Sequence, residues 1–318
     1  MGLYKLTEAG IIGEFFLALN AGDGAAWVPK ISNYFESDQD IETYPWLGMA
    51  PAMREWVGGR NAKGLRENNI EIKNKHYEAT IDILVKWLRR DKSDQALLRI
   101  RELAQRANTH WASLLSTLII NGSSTVCYDN QYFFDTDHSE GDSGTQSNSI
   151  SVDISALPTT VHGSTTAPSV EEMQLCIAAG IAQIAGIKDD KGEPMNEGAQ
   201  SFLVMCPVSL MNAAMQAVAT PLQIAASQTA LTALKAANFS IEVAPNARLS
   251  DWTASFALFN TNSVAKALIR QEETAVDLKI KGEGSEYAFD NDAHQYGIDT
   301  WRNVGYGMWQ KACLVTMT

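Results

Sequence analysis

The chain has 318 residues, 45% hydrophobic and 19% charged. That is length for about two domains, and too apolar a composition for disorder. Twenty-five basic residues against 37 acidic ones give a net charge of −12, which argues against a general nucleic-acid binder, because phosphate neutralisation needs an excess of Lys and Arg.

The charge is unevenly placed. Residues 1–110 carry 15 basic and 15 acidic groups, so the whole deficit falls in 111–318. The four cysteines, Cys127, Cys176, Cys206 and Cys313, are far apart with no C-x-x-C pair. They read as free thiols in a reducing compartment and exclude a cysteine-rich zinc module. The N-terminus has no apolar signal core, and no run of about 18 apolar residues is present to span a membrane. The expectation is a soluble product made in the cytoplasm.

Residues 1–43 read as an arm. Ile11 to Leu19 suits a short helix, but Gly22, Gly24, Pro29 and the acidic stretch 36–40 leave little to bury alone. The arm is therefore expected to lie on something else. Residues 44–68 are rich in aromatics and glycine. Beyond them Ile70 and Ile72, then Tyr77, Ala79, Ile81, Ile83, Val85 and Trp87, recur every second residue, the period of a strand. Asn74-Lys75 between the two runs predicts a long hairpin over 67–87. Such a hairpin exposes unpaired backbone until a neighbour covers it.

The spacing predicts one long helix over 93–120. Leu97, Ile100, Leu103, Ala104, Ala107, Trp111, Leu114, Leu115 and Leu118 fall at intervals of three and four. Asp91 or Ser93 is placed to cap its start and Asn121-Gly122 to end it in the left-handed conformation. The helix would run on the order of 40 Å, a spine for a broad, flat domain. Residues 123–168 are polar and turn-rich.

From Ser169 the composition turns small and apolar. Ser169 and Glu172 form a capping box. Helices are expected at 173–187, 208–218, 222–237 and 263–270, and strands at 201–206, 239–243 and 255–259. This α/β unit, 169–270, reads as an insertion in a first domain that resumes with alternating strands and runs to the end. No internal repeat is found.

Candidate chemistry is sparse. Gly141-Asp142-Ser143-Gly144 matches the nucleophile loop of chymotrypsin-like proteases over four residues, without the surrounding barrels. Asp135, Asp137 and Ser139 take the first places of a calcium loop, but Glu140 stands where glycine is needed and Gln146 where glutamate is needed. A solvated turn with Asp side chains on backbone N–H groups is the plainer reading. His76, His110, His138, His162 and His294 show no zinc spacing. The basic stretch 73–106 reads as a solvated face or one turned to an acidic neighbour. No catalytic set, cofactor or metal site emerges. An arm, a hairpin and a spine helix offer interaction surface instead.

Several blocks resemble the major head subunit of Mu-like phages: Tyr44-Pro45-Trp46-Leu47-Gly48, then Pro51, Met53-Arg54-Glu55-Trp56 and Arg60. Asn74-Lys75, Tyr77-Glu78, Tyr128-Asp129, Phe133-Phe134-Asp135 and His138 continue the likeness, as do Pro207 and the stretch 296–309. That family is similar to capsid proteins of the Hong Kong 97 phage type. The resemblance implies an α+β fold: an N-terminal arm (1–43), an extended E-loop region (44–88), a peripheral domain (89–168 and 271–318) with the spine helix at about 93–121, and an axial domain (169–270). It implies a structural protein and no enzyme. Hexamers and pentamers would close an icosahedral shell around packaged double-stranded DNA, held on the inner face without sequence specificity. A portal and a scaffold or protease would be further partners, and the virion the destination. Trp46, Arg54, Glu55, Trp56, Arg60, Lys75, Tyr77 and Trp87 are the candidate intersubunit contacts. The alternatives are another phage-derived shell or assembly protein, such as an encapsulin-like compartment, and a cytoplasmic hydrolase.

Overall fold

A computed structural model describes residues 8–22, 24–47, 67–90, 94–219, 223–224, 227–228 and 238–318. The chain opens with helix α1 (Glu8–Asn20), a single turn α2 (Val28–Ile31) and strand β1 (Ser32–Glu36). Ile11 and Phe15 of α1 are buried one turn apart, as a single apolar stripe requires. The arm does lie on something: α1 packs on the spine helix of its own chain.

Strands β2 (Ile41–Leu47) and β3 (Glu67–Lys73) form an antiparallel ribbon, Ile41 opposite Lys73 and Leu47 opposite Glu67. Strand β4 (Lys75–Leu84) follows after one residue, Asn74. The hairpin expected over 67–87 is therefore not formed. β3 pairs back to β2, while β4 enters a different sheet, and Trp87 lies on helix α3 (Val85–Arg90) rather than on a strand. Period two identifies a strand, not its partner.

The spine helix α4 (Gln95–Ile120) begins after Asp94, at φ 53° with no side-chain cap. Asp91 and Ser93, the expected caps, lie outside the described residues. Its end also differs from expectation. Asn121 has φ −79° and opens a 3-10 turn over Asn121–Ser123, so no left-handed cap forms. Gly122 serves packing instead: a Cβ there would stand 2.6 Å from the Phe134 ring.

A turn-rich stretch holds β5 (His138–Ser139), β6 (Thr145–Gln146) and β7 (Ser149–Val152). Helix α5 (Val170–Gly186) starts from the predicted capping box, with the Ser169 Oγ accepting from the Glu172 N–H and the Glu172 carboxylate accepting from the Ser169 N–H. Strand β8 (Ser201–Cys206), helix α6 (Met211–Ala219), the two-residue strands β9 (Gln223–Ile224) and β10 (Ser227–Gln228), β11 (Ser240–Pro245) and β12 (Ser255–Asn260) follow. Most of the helix expected at 222–237 lies outside the described residues; β9 and β10 occupy part of it.

The helix expected at 263–270 is absent. Asn33 holds that segment open, its Nδ2 donating to the Val264 carbonyl and its Oδ1 accepting from the Lys266 N–H. The long strand β13 (Leu268–Lys281) then begins, followed by helix α7 (Glu286–Asn291), β14 (Ala293–Tyr306) and β15 (Ala312–Met317).

Two sheets organise these elements. One has the order β1-β13-β14-β4, the other β11-β8-β12-β15-β7. The last strand, β15, lies between β12 and β7, so residues 271–318 do not all return to the first sheet. Its apolar run Ala312–Val315, buried throughout, suits a central strand covered on both faces. The spine helix joins two cores. Ile100, Leu103 and Ala104 pack with α1 and Tyr296, while Leu115 and Ile119 pack with Phe133, Phe259 and Trp309. A third core, with Ile177, Phe202 and Val315, lies under α5 and α6.

Candidate functional site

The ribbon joins the body at Asn74, which is buried. Its N–H donates to the Asp40 carbonyl at 2.8 Å. Its Nδ2 donates to Ser37 Oγ at 2.9 Å and to the Gln39 carbonyl at 2.8 Å. Its Oδ1 accepts from Gln271 Nε2 at 2.7 Å. Gln271, also buried, donates to the Ile72 carbonyl and accepts from the Tyr44 hydroxyl through Oε1 at 2.8 Å. Every side-chain polar atom of Asn74 and Gln271 is answered, the condition for burying such a network. Beside it Ile70 and Ile72 pack on Ile269. Gly305 leaves room for them, since a Cβ there would meet the Ile72 Cδ1 at 2.5 Å.

Of the predicted contact residues, Arg54, Glu55, Trp56 and Arg60 lie outside the described residues. Trp46 is on β2 opposite Asn68. Lys75 is exposed on β4 opposite Arg302. Tyr77 is half-buried within its own chain, edge-on to His110 with centroids 4.5 Å apart. That differs from the expected site on a free hairpin, because β14 covers the inner edge of β4. Trp87 remains exposed, with Lys86 Nζ 5.8 Å from its ring. Among the described residues these do not converge: Tyr77 lies near the start of β4, and Trp87 lies on α3, beyond the other end of that strand.

Arg302 pins the spine helix to the sheet. Only 3% exposed, it donates through Nε to His110 Nδ1 at 3.1 Å and through a terminal nitrogen to the Ala107 carbonyl at 3.1 Å. Its guanidinium lies 4.7 Å from the Trp111 ring and 3.7 Å from the Glu272 carboxylate. Burial lowers its pKa to about 10, against the pull of Glu272. Burial, Arg302 and Arg248 together hold His110 down at about 4. Beside this group a cavity of about 270 Å³ opens between α4 and the sheet. The sequence placed Arg302 only within the family-like stretch 296–309 and gave no signal for Asn74 or Gln271 as a junction, because their side-chain partners lie 35 to 227 residues away.

The polar loop contains a second buried network. His138 stacks on Trp309; its Nδ1 is 2.6 Å from Asp129 Oδ2 and its Nε2 3.2 Å from Asn148 Oδ1. Cys127 Sγ donates to Asp129 Oδ1 at 2.9 Å. Burial pushes the Asp129 carboxyl up, but the hydrogen bonds from His138, Cys127 and the Gln131 N–H outweigh it, so it sits below the usual value. Ligand-type atoms of Cys127, Asp129 and His138 lie within 4.8 Å of one another. Protons already link them, and burial with the Asp129 charge holds the thiol proton on. Hydrogen bonds tie the trio together as it stands; a metal there would need the thiolate in place of the thiol.

The catalytic readings find little support. Ser143 Oγ donates to the Gly144 carbonyl and accepts from the Glu140 N–H, with no histidine partner among the described residues. The Asp135 oxygens take the Tyr132 and Thr136 N–H groups, as the solvated-turn reading expects.

Comparison with known proteins gives the family. The profile of the Mu-like prophage major head subunit gpT matches residues 8–160 and 233–318. The Mu-like prophage FluMu major head subunit of Haemophilus influenzae is 33% identical over 138 residues, which are 42% of this chain and 45% of that protein. The major capsid protein of Escherichia phage Mu is 30% identical over 116 residues, 36% of this chain and 38% of that protein. The aligned regions thus span less than half of either curated relative. Among solved structures, the capsid of cyanophage P-SCSP1u superposes with a TM-score of 0.56 at 9% identity, covering 90% of this chain and 86% of that one. That likeness fixes the fold as the Hong Kong 97 type of phage capsid, with its mixed helices and sheets. The chain belongs to the family of Mu-like prophage major head subunits, gpT.

Proposed function

We propose that this chain is the structural major head subunit of a Mu-like tailed phage or prophage. Copies of it, as hexamers and pentamers, build an icosahedral shell around packaged double-stranded DNA and become part of the virion. The observation that carries this reading is the β2–β3 ribbon. Its two strands pair with each other and with no other strand, so among the described residues each has an edge that no strand covers. A two-stranded ribbon is marginal alone, and an open edge invites a partner. A neighbouring copy supplies one.

The domain division follows the two sheets. The four-stranded sheet with the spine helix serves as the peripheral domain, and the five-stranded sheet with α5 and α6 as the axial domain. Weak contacts repeated around a closed shell add through multivalency. The −12 charge suits a shell that contains DNA without gripping its sequence. A portal and a scaffold or protease complete the head.

Negative-stain microscopy and light scattering of the purified chain test the proposal. Rings or closed shells are expected, and a chain that stays monomeric under assembly conditions would overturn it.

A further inference from the structure

Two features of the four-stranded sheet lack partners among the described residues. The first is Phe289 on α7, 91% exposed at the turn between β13 and β14. Local bonds fix its surroundings. Ser285 Oγ accepts from the Ala288 N–H at 3.1 Å, and the neighbouring Tyr287 ring lies under Lys281 Nζ at 5.8 Å. Glu286 and Asp290, both exposed, flank Phe289 and make no ion pair among the described residues.

The second is the cavity of about 270 Å³ beside the spine helix. Its apolar lining includes Ala79, Ala107 and Ile298, and its charged lining includes Arg106 and Arg248. Both arginines are exposed and have no acidic partner among the described residues. The acids lining the same cavity are otherwise engaged: Asp299 by Lys279 and His76, Glu78 by the Thr80 hydroxyl. Burial first, and then the charges of Arg302 and Arg248, lower the His110 pKa in the wall, and those two arginines with Arg106 give the cavity a cationic rim.

An aromatic ring between two carboxylates complements an apolar pocket with two free guanidinium groups. A phenylalanine carries on the order of 150–250 Å² of buriable surface. The same chain cannot make the contact. α7 precedes β14, which starts at Ala293, while the cavity is lined by residues up to Arg302. Seven residues of strand separate Ala293 from Thr300, about 23 Å.

We propose that Phe289 of one copy, flanked by Glu286 and Asp290, docks into the Arg106–Arg248 cavity of a neighbouring copy. The contact joins two different surfaces, the kind that closes into rings when the rotation permits. It rests on the shell reading above and names one of the contacts that would build the shell.

The test replaces Phe289→p-benzoylphenylalanine and assembles particles from an equal mixture of light and ¹⁵N-labelled subunits. After irradiation, mass spectrometry should join residue 289 of one isotope to peptides containing Arg106 to His110 or Ile298 to Arg302 of the other. Adducts only elsewhere, or only within one copy, would overturn the docking while leaving the shell reading intact. A charge swap provides the second arm. Arg106→Glu with Arg248→Glu should cut particle yield at least tenfold with unchanged subunit melting, and adding Glu286→Arg and Asp290→Arg should restore it to within twofold. Full yield from the first pair, or no rescue by the second, also counts against it. If unaltered subunits form no particles, both readings fall together.

Discussion

His138 lies flat against Trp309, with ring centroids 3.8 Å apart and planes inclined by 6°. Asn148 sets the edge of this stack. Its Nδ2 donates to the Phe133 and Trp309 carbonyls, which leaves Oδ1 turned to the His138 Nε2. Both ring nitrogens thus face oxygen acceptors in a fully buried site. His138→Ala removes the stack and one of the three hydrogen bonds on Asp129, leaving those from Cys127 and the Gln131 N–H. A hydrogen bond to a charged group contributes about 1.5–3 kcal/mol. A melting temperature of free subunits within a degree or two of the parent would refute the role.

Lys311 is buried, and its Nζ meets the neutral Asn196 Oδ1 at 2.6 Å. Burial lowers its pKa from 10.5 to about 8. A base whose folded value is depressed binds fewer protons folded than unfolded, so stability rises with pH between the two values. The window is about pH 8 to 10.5, and the contribution on the order of 3 kcal/mol. Buried tyrosines and thiols with raised values, such as Tyr296 and Cys206 at about 12, push stability the other way. The comparison must therefore be with Lys311→Met, which keeps those groups. Urea midpoints at pH 7.5, 9 and 10 should show the parent gaining on the variant as pH rises. A constant difference would mean Lys311 titrates normally.

The spine helix offers a contrast between neighbours. Leu115 is fully buried in the core shared with Trp309, whereas Leu114 is only half-buried. Leu115→Ala should cost about 2–5 kcal/mol, and Leu114→Ala well under half as much. Equal losses in thermal unfolding would show that the stripe is placed one residue wrong.

That contrast also shows what the sequence could and could not reveal. Spacing alone admits both Leu114 and Leu115 to the apolar face. Only the five-stranded sheet, built from segments between Ser149 and Met317, selects Leu115. The capping box of Ser169 and Glu172 was legible because all its partners are local. The strand runs at 75–84 and 201–206 were legible from alternation and from an unbroken apolar stretch. Pairing was not. Asn74-Lys75 has the composition of a turn, yet Asn74 carries the chain from one sheet to another, and its side chain is bonded to Ser37, Gln39 and Gln271. Likewise nothing within 312–317 says that β15 leaves the first sheet for the second. The candidate contacts shared this limit: Tyr77 looked free because β14, more than 200 residues on, was not yet beside it.

The ribbon permits a test that separates its anchor from its reach. Leu47 and Glu67 are directly opposed, so a two-residue Asn-Gly turn can join them and replace 48–66 without changing register. The three large cores contain no residue of the ribbon, and the Asn74–Gln271 junction remains. The shortened subunit should therefore melt as the parent does and yet form no stable shells, because Arg54, Glu55, Trp56 and Arg60, four of the candidate intersubunit contacts, are gone. Asn74→Ala should do the reverse first. It removes the side-chain partner of the buried Gln271 amide, of Ser37 Oγ and of the Gln39 carbonyl, at about 1–3 kcal/mol for each orphaned group, and lowers the subunit's own melting temperature. Particle counts by microscopy beside thermal melts read both effects. Shells at parental yield from the shortened chain would show that residues 48–66, and the candidate contacts Arg54, Glu55, Trp56 and Arg60 among them, are not needed for assembly.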